Sequence, residues 1–115
     1  MLYSLRVHSA TLTHTAALAR LGRMLSDPTR ASALLALREA PAYPSDLAEA
    51  LGVSRQVMSN QLACLRGCGL VQAVQDGRHV WYRLADEQLR PALDELLRVV
   101  LVVEPDCCSG SGCTC

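Results

Sequence analysis

In the run Asp46-Leu47-Ala48-Glu49-Ala50-Leu51-Gly52-Val53-Ser54-Arg55-Gln56-Val57-Met58-Ser59-Asn60-Gln61-Leu62-Ala63-Cys64-Leu65-Arg66-Gly67-Cys68-Gly69, two helices of unequal length are written around one glycine. Ser45 can cap a short helix over 46–51, which Gly52 ends, and Ser54 can cap a longer one reaching Cys68, which Gly69 closes. A short helix, a glycine-containing turn and a longer capped helix make a helix-turn-helix. The next segment changes period. Val71 and Ala73, then Asp76-Gly77, then Val80, Tyr82 and Leu84 alternate as two strands, and Asp-Gly between such runs is a strong hairpin signal. A hairpin directly after the second helix is a wing.

Outward from this unit the pattern is helical. Leu18, Leu21 and Leu25 recur at helix spacing over 13–25, and Ser26-Asp27-Pro28-Thr29 is a break with helix-start chemistry. A second helix then runs to about Ala40, with Pro41 and Pro44 punctuating the turn beyond it. Downstream of the wing, Leu89, Leu93, Leu96, Leu97, Val100 and Leu101 form an amphipathic stripe on a helix from Asp86 to near Glu104-Pro105, a face suited to a partner subunit. The expected architecture is mainly α with a β-hairpin, ααααββα: a dimeric winged helix-turn-helix. Residues 1–105 make one domain, and 106–115 form a cysteine-rich tail.

Length and composition agree with one domain: 115 residues and 50% hydrophobic content suffice for a single core, with no Phe and one Trp leaving the packing to aliphatic side chains. The formal net charge is zero, but its distribution is uneven. Arg55, Arg66, Arg78 and Arg83 face Asp76 alone over 54–83, while Asp86, Glu87, Asp94, Glu95, Glu104 and Asp106 outweigh Arg90 and Arg98 beyond. A basic middle followed by an acidic helix allows nucleic-acid binding that the net charge would argue against. Met1 to Thr11 lacks the pattern of a secretory signal and no apolar run reaches the length of a span, so a cytoplasmic protein with no membrane partner is expected.

On a helical wheel of 54–68, Met58, Leu62 and Leu65 share one side, while Gln56, Ser59, Asn60 and Arg66 share the other. Side chains of that kind suit base edges and phosphates. Ser54, Arg55, Gln56, Ser59, Asn60 and Gln61 are therefore candidate DNA-reading residues, with Arg78 and His79 reaching backbone or minor groove from the wing.

Six cysteines in a cytosolic chain of this size point to metal binding or redox chemistry rather than a disulfide framework. Cys64 and Cys68 lie one helical turn apart, with Cβ atoms about 5 to 6 Å from each other. A disulfide wants roughly 3.8 Å, so the pair is better placed to chelate one soft ion than to oxidise internally. Both also fall on the broad apolar arc with Val57 and Leu65, where a cysteine can serve as a small core residue. Cys107, Cys108, Cys113 and Cys115 have no core to fill, and a tail thiolate, from the same or the other subunit, could complete a three-coordinate site. Soft ions such as Cd(II), Pb(II), Zn(II), Cu(I) and trivalent arsenic prefer such donors. Thiol redox sensing is the competing reading. Catalysis is disfavoured: His8, His14 and His79 fall in unrelated segments, and there is no phosphate loop.

Leu25-Ser26-Asp27-Pro28-Thr29-Arg30, the helix-turn-helix over 46–70, the wing from Asp76-Gly77-Arg78 to Tyr82-Arg83-Leu84, and Ser59-Asn60-Gln61-Leu62-Ala63-Cys64-Leu65-Arg66-Gly67-Cys68-Gly69-Leu70 together resemble the ArsR/SmtB family of metal-responsive repressors, and within it the CmtR branch that senses cadmium and lead. The resemblance implies a homodimer built from the first and last helices, with Leu18, Leu21, Leu93, Leu97, Val100 and Leu101 at its interface. It implies an apo-protein bound to operator double-stranded DNA and released when Cd(II) or Pb(II) binds Cys64, Cys68 and a tail cysteine of the other subunit. The paired Cys107-Cys108 followed by Cys113 also resembles the tails of arsenic sensors, which keeps As(III) as an alternative inducer. The region 43–47 lacks a cysteine pair and the last helix lacks histidine, features that the family's other metal sites use.

Overall fold

The computed structural model describes residues 2–100, with side chains from residue 14 onward. Its elements are α1 (Leu2–Leu25), α2 (Pro28–Glu39), α3 (Pro44–Leu51), α4 (Arg55–Gly67), β1 (Val71–Asp76), β2 (His79–Leu84) and α5 (Leu89–Val100). The order is the expected ααααββα. Helix α1 starts at Leu2 rather than near residue 13, because leucine spacing marks only its second half while no proline or glycine interrupts the backbone before Gly22.

Helix α2 begins where the Asp27 carboxylate accepts the Arg30 N–H at 3.0 Å, with Pro28 in the first turn. It ends at Ala40, extended at φ −165 and ψ 155 as a residue before proline prefers. Helix α3 opens on Pro44, whose fixed φ suits a first turn, so Tyr43 takes the cap position and Ser45 lies inside the helix rather than capping it.

Helix α4 follows its sequence signals closely. Ser54 Oγ accepts the Val57 N–H at 3.1 Å. At the other end Gly69, at φ +78, donates to Arg66 O while Leu70 N–H reaches Leu65 O, both at 3.0 Å. This paired closure satisfies two end carbonyls and requires a left-handed residue. A Cβ added at Gly69 meets nothing within 4 Å, so Gly69→Ala is a test of backbone conformation alone. We expect a loss of about 1 to 2 kcal/mol in urea unfolding, and an unchanged midpoint would show that the turn adapts.

The hairpin pairs Val71 with Leu84 through Asp76 with His79, antiparallel. Its turn is Gly77-Arg78, one residue later than the Asp-Gly dipeptide suggests, because Asp76 is still paired; Gly77 supplies φ +60. An isolated bridge adds Ala42 to the outer side of β2, with Ala42 N–H to Tyr82 O at 3.0 Å and Tyr82 N–H to Ala42 O at 2.8 Å. The segment before α3 thereby anchors the wing.

Leu34 and Leu37 of α2, Met58, Leu62 and Leu65 of α4 and Val71 of β1 form the fully buried centre. Helix α4 presents its apolar side at i, i+4 and i+7, which sends its polar side outward. Helix α5 starts at Leu89 rather than Asp86, because the Asp86 carboxylate and carbonyl accept the N–H groups of Gln88 and Leu89 in a turn of their own. It is fastened to α2 by Arg38 Nη1 to Asp94 Oδ1 at 2.8 Å and Arg90 Nε to Arg38 O at 2.7 Å. Part of the acidic character of this helix is thus taken up by neighbouring arginines. Among the described residues no helix is long and apolar enough to cross a membrane.

Candidate nucleic-acid interface and metal centre

The capped start of α4 aims a polar face at solvent. Ser54, Arg55, Gln56, Ser59 and Asn60 are all exposed, and Gln56 Nε2 donates to Asn60 Oδ1 at 3.1 Å, which links two hydrogen-bonding side chains on successive turns. Ser54 Oγ is occupied as an acceptor by the cap, leaving its proton to donate. Such residues at the first turns of a second helix can address base edges and phosphates in a major groove.

Arg78 occupies the tip of the wing, exposed. His79 packs edge-on to Tyr43, with ring centroids 5.9 Å apart, and Tyr43 OH donates to Asp76 Oδ2 at 3.2 Å. That hydrogen bond raises the Tyr43 phenol above its ordinary pKa, with burial and the Asp76 and Asp46 charges adding to it. The phenol therefore stays a donor through neutral pH, and its hydrogen bond breaks only as pH climbs through the raised value. Tyr43 carries no signal of this role in the sequence; it clamps the wing to the start of α3.

Arg66 and Arg83 join the basic surface without belonging to the DNA-reading candidates. Together with Gln72 and Gln75 they line an open groove of about 680 Å³ along the unpaired edge of β1, with no acidic residue in its lining. Arg83 is steadied by Gln72 Oε1 at 3.2 Å and by the Trp81 ring at 5.8 Å. The charge asymmetry of 54–83 is the sequence signal that points to both.

Gln61 differs from the other reading candidates in that its side chain is hydrogen-bonded to another helix. It is half-buried, on the flank away from Gln56, Ser59 and Asn60, and its Oε1 accepts Arg30 Nη1 at 2.9 Å. The same guanidinium donates through Nε to Met24 O and through Nη2 to Arg23 O, each at 2.9 Å. Arg30 thus ties the carboxyl end of α1 to α4, placing positive charge where the end carbonyls of a helix need donors. Gln61 is thus a structural partner of Arg30 through its Oε1.

Cys64 and Cys68 are free thiols and both are exposed, so the packing role that their apolar arc permits is not the one they take within this chain. Cys68 N–H bonds to Cys64 O at 3.1 Å, which keeps the two residues one α-helical turn apart. Cys68 opens into a cleft of about 200 Å³ lined by Ala17, Arg20, Leu21 and Met24 of α1 and by Leu70. Two accessible sulfurs on one helical turn fit a thiophilic ion, and an incomplete donor set is what the structure offers: among the described residues no third His, Cys, Asp or Glu joins them. Cys107, Cys108, Cys113, Cys115 and the interface candidate Leu101 lie outside the described residues.

The interface candidates separate into two groups. Leu18 is 70% and Val100 52% exposed, and Leu21 and Leu97 are half-buried. Leu93, at 6%, is already part of its own chain's core, because the stripe on α5 must first cover α2. Leu25, Ala31, Leu35, Leu93, Leu96, Leu97 and Val100 leave an apolar groove of about 230 Å³ between the end of α1, α2 and α5.

Residues 27–73 match the model of the bacterial regulatory protein, arsR family. The chain is also 57% identical over 90 residues to the HTH-type transcriptional regulator CmtR of Mycobacterium tuberculosis, an alignment covering 78% of this chain and 76% of that one. The chain belongs to the ArsR family. Among solved structures, this ArsR-family protein is similar to the NMR structure of the cadmium metal-sensor CmtR from M. tuberculosis, with a TM-score of 0.63 and 56% identity over 76% of this chain and 92% of that one. It is similar as well to a homodimeric winged helix-turn-helix DNA-binding domain from Mycobacterium bovis, with a TM-score of 0.69 and 28% identity over 79% and 83% of the two chains. The relatives are transcriptional regulators rather than enzymes, and the winged helix-turn-helix is the fold this ArsR-family chain shares with them.

Proposed function

We propose that this protein is a metal-responsive repressor that acts in the cytoplasm. A homodimer holds operator DNA in its apo form and lets go when Cd(II) or Pb(II) binds the thiolates of Cys64, Cys68 and one tail cysteine among Cys107, Cys108, Cys113 and Cys115. The observation that carries this reading is the pair of exposed thiols one turn apart on the reading helix itself. Sulfur donors favour soft ions, and the similarity to a cadmium sensor supports the same choice. Cys64 and Cys68 would hold such an ion on α4, and a tail thiolate would complete its sulfur donors. The protein supplies the lever: Cys64 and Cys68 continue the four-residue spacing of Gln56 and Asn60 toward the carboxyl end of α4, one and two turns past Asn60, so an ion there would lie beyond the base-reading turns and act on the helix that carries them.

Residues 1–105 then form the DNA-binding and dimerising domain and 106–115 the tail that completes the donor set. Exposed Leu18, Val99 and Val100, together with the groove between α1, α2 and α5, support a second copy as the partner of this face. Two reading helices, one from each subunit, would address half-sites about one DNA turn apart.

Fluorescence anisotropy on the protein's own promoter fragment tests the DNA half of this account. Arg55→Ala should weaken operator binding roughly fivefold to tenfold or more, and Arg78→Ala should lower the salt slope by about 1 for each phosphate it no longer neutralises, both with unchanged circular dichroism. Unchanged affinity in both variants would remove the assignment.

A further inference from the structure

We propose that Arg20 is a specificity-determining residue for the inducer, favouring sulfur-bound divalent ions over trivalent arsenic by the charge of the complex each makes. This rests on the reading of Cys64, Cys68 and a third thiolate as the inducer site. Arg20 is the one charged residue lining the cleft into which Cys68 opens, alongside Ala17, Leu21, Met24 and Leu70. Ala17, Arg20, Leu21 and Met24 fall at i, i+3, i+4 and i+7, a single face of α1 turned toward the carboxyl end of α4. Among the described residues the Arg20 guanidinium has no carboxylate within ion-pair distance and no side-chain hydrogen bond, unlike those of Arg30, Arg38, Arg83, Arg90 and Arg98.

The place matters because Cys68 caps the carboxyl end of α4, where aligned carbonyls make the local potential negative. A thiolate, or any anionic complex built on it, is disfavoured there unless a cation is close. Three thiolates around a divalent ion leave one net negative charge, whereas three around As(III) leave a neutral complex, so the formal charge of the ion decides whether a neighbouring cation helps. Arg20 offers that cation from the opposite wall of the cleft. It stabilises the Cd(II) and Pb(II) complexes and leaves the arsenic complex nearly unaffected. Because Arg20 is exposed, its effect is moderated by solvent and salt.

The test compares the reduced full-length protein with Arg20→Gln, Arg20→Lys and Arg20→Glu. Cd(II) affinity is measured by chelator competition on the thiolate-to-metal charge-transfer band, and arsenite affinity by its own near-ultraviolet band. We expect Arg20→Gln to weaken Cd(II) roughly threefold to fivefold, Arg20→Glu by about tenfold or more, and Arg20→Lys hardly at all. Arsenite binding should move less than twofold in each, and added salt should shrink the difference between wild type and Arg20→Gln. Equal Cd(II)-to-arsenite ratios in wild type, Gln and Glu variants would overturn the proposal while leaving the thiolate site standing. No charge-transfer band in the wild type would defeat the site reading and this proposal together. Thermal melts identical across the variants establish that the exposed substitutions leave the fold intact.

Discussion

Cys64→Ser and Cys68→Ser proteins should bind operator within about twofold of the wild type and fail to release it when Cd(II) is added. A serine hydroxyl has nearly the volume of a thiol but stays protonated at neutral pH and is a hard donor, so the substitution removes soft-ion affinity and little else. Neither residue fills the core: both are exposed, and the packing of α4 rests on Met58, Leu62 and Leu65. The effect at stake is the whole coupling between ion and DNA, about 1 to 3 kcal/mol or roughly 5- to 150-fold in operator affinity. Reciprocity provides a second readout, since operator DNA must weaken ion binding to the wild type by the same factor. A normal Cd(II) response in both serine variants would move the site off the helix and onto the tail alone.

The second large effect is expected at Arg30. Its guanidinium donates to Met24 O, Arg23 O and Gln61 Oε1, all at 2.9 Å, and its backbone N–H is the one that Asp27 caps. Arg30→Ala would leave two end carbonyls of α1 without these charged donors and Gln61 without its partner. We expect a loss of about 2 to 3 kcal/mol in urea unfolding at fixed protein concentration. Arg30→Lys should recover only part, because an ammonium cannot present the same planar fork to three acceptors. Gln61→Ala should cost about 1 kcal/mol on its own and much less in the Arg30→Ala background, as residues sharing one bond are not additive. Losses below about 0.5 kcal/mol for Arg30→Ala, the range of an ordinary surface change, would mean that solvent replaces these bonds freely.

Much of the fold is legible because its signals are local. Ser54 and Gly69 bracket α4 by backbone chemistry that acts over three or four residues, and Asp27-Pro28 opens α2 in the same way. The alternation through Val80, Tyr82 and Leu84 and the polar wheel of Gln56, Ser59 and Asn60 are likewise written at short range. What escapes is tertiary. Gln61 meets Arg30 across 31 positions, and nothing near either residue announces it. Leu93 belongs to the same stripe as Leu97 and Val100, yet α2 rather than a second chain claims it, a distinction that periodicity alone does not carry. Ala42 bridges Tyr82 through a single pair, too short to leave an alternating pattern. For the thiols, spacing is read from the sequence and exposure from the structure. The arc that Cys64 and Cys68 share with Leu65 permits a core role, and only the burial of α4 through Met58, Leu62 and Leu65 instead leaves them open.

The most direct test is anaerobic titration of the reduced wild-type protein, bound to its promoter fragment, with Cd(II), Pb(II) and arsenite in parallel, read by fluorescence anisotropy. Release by Cd(II) or Pb(II) at low stoichiometry, with arsenite less effective, is the predicted result. DNA that stays bound through both divalent titrations, whether arsenite releases it or only peroxide does, would contradict the account.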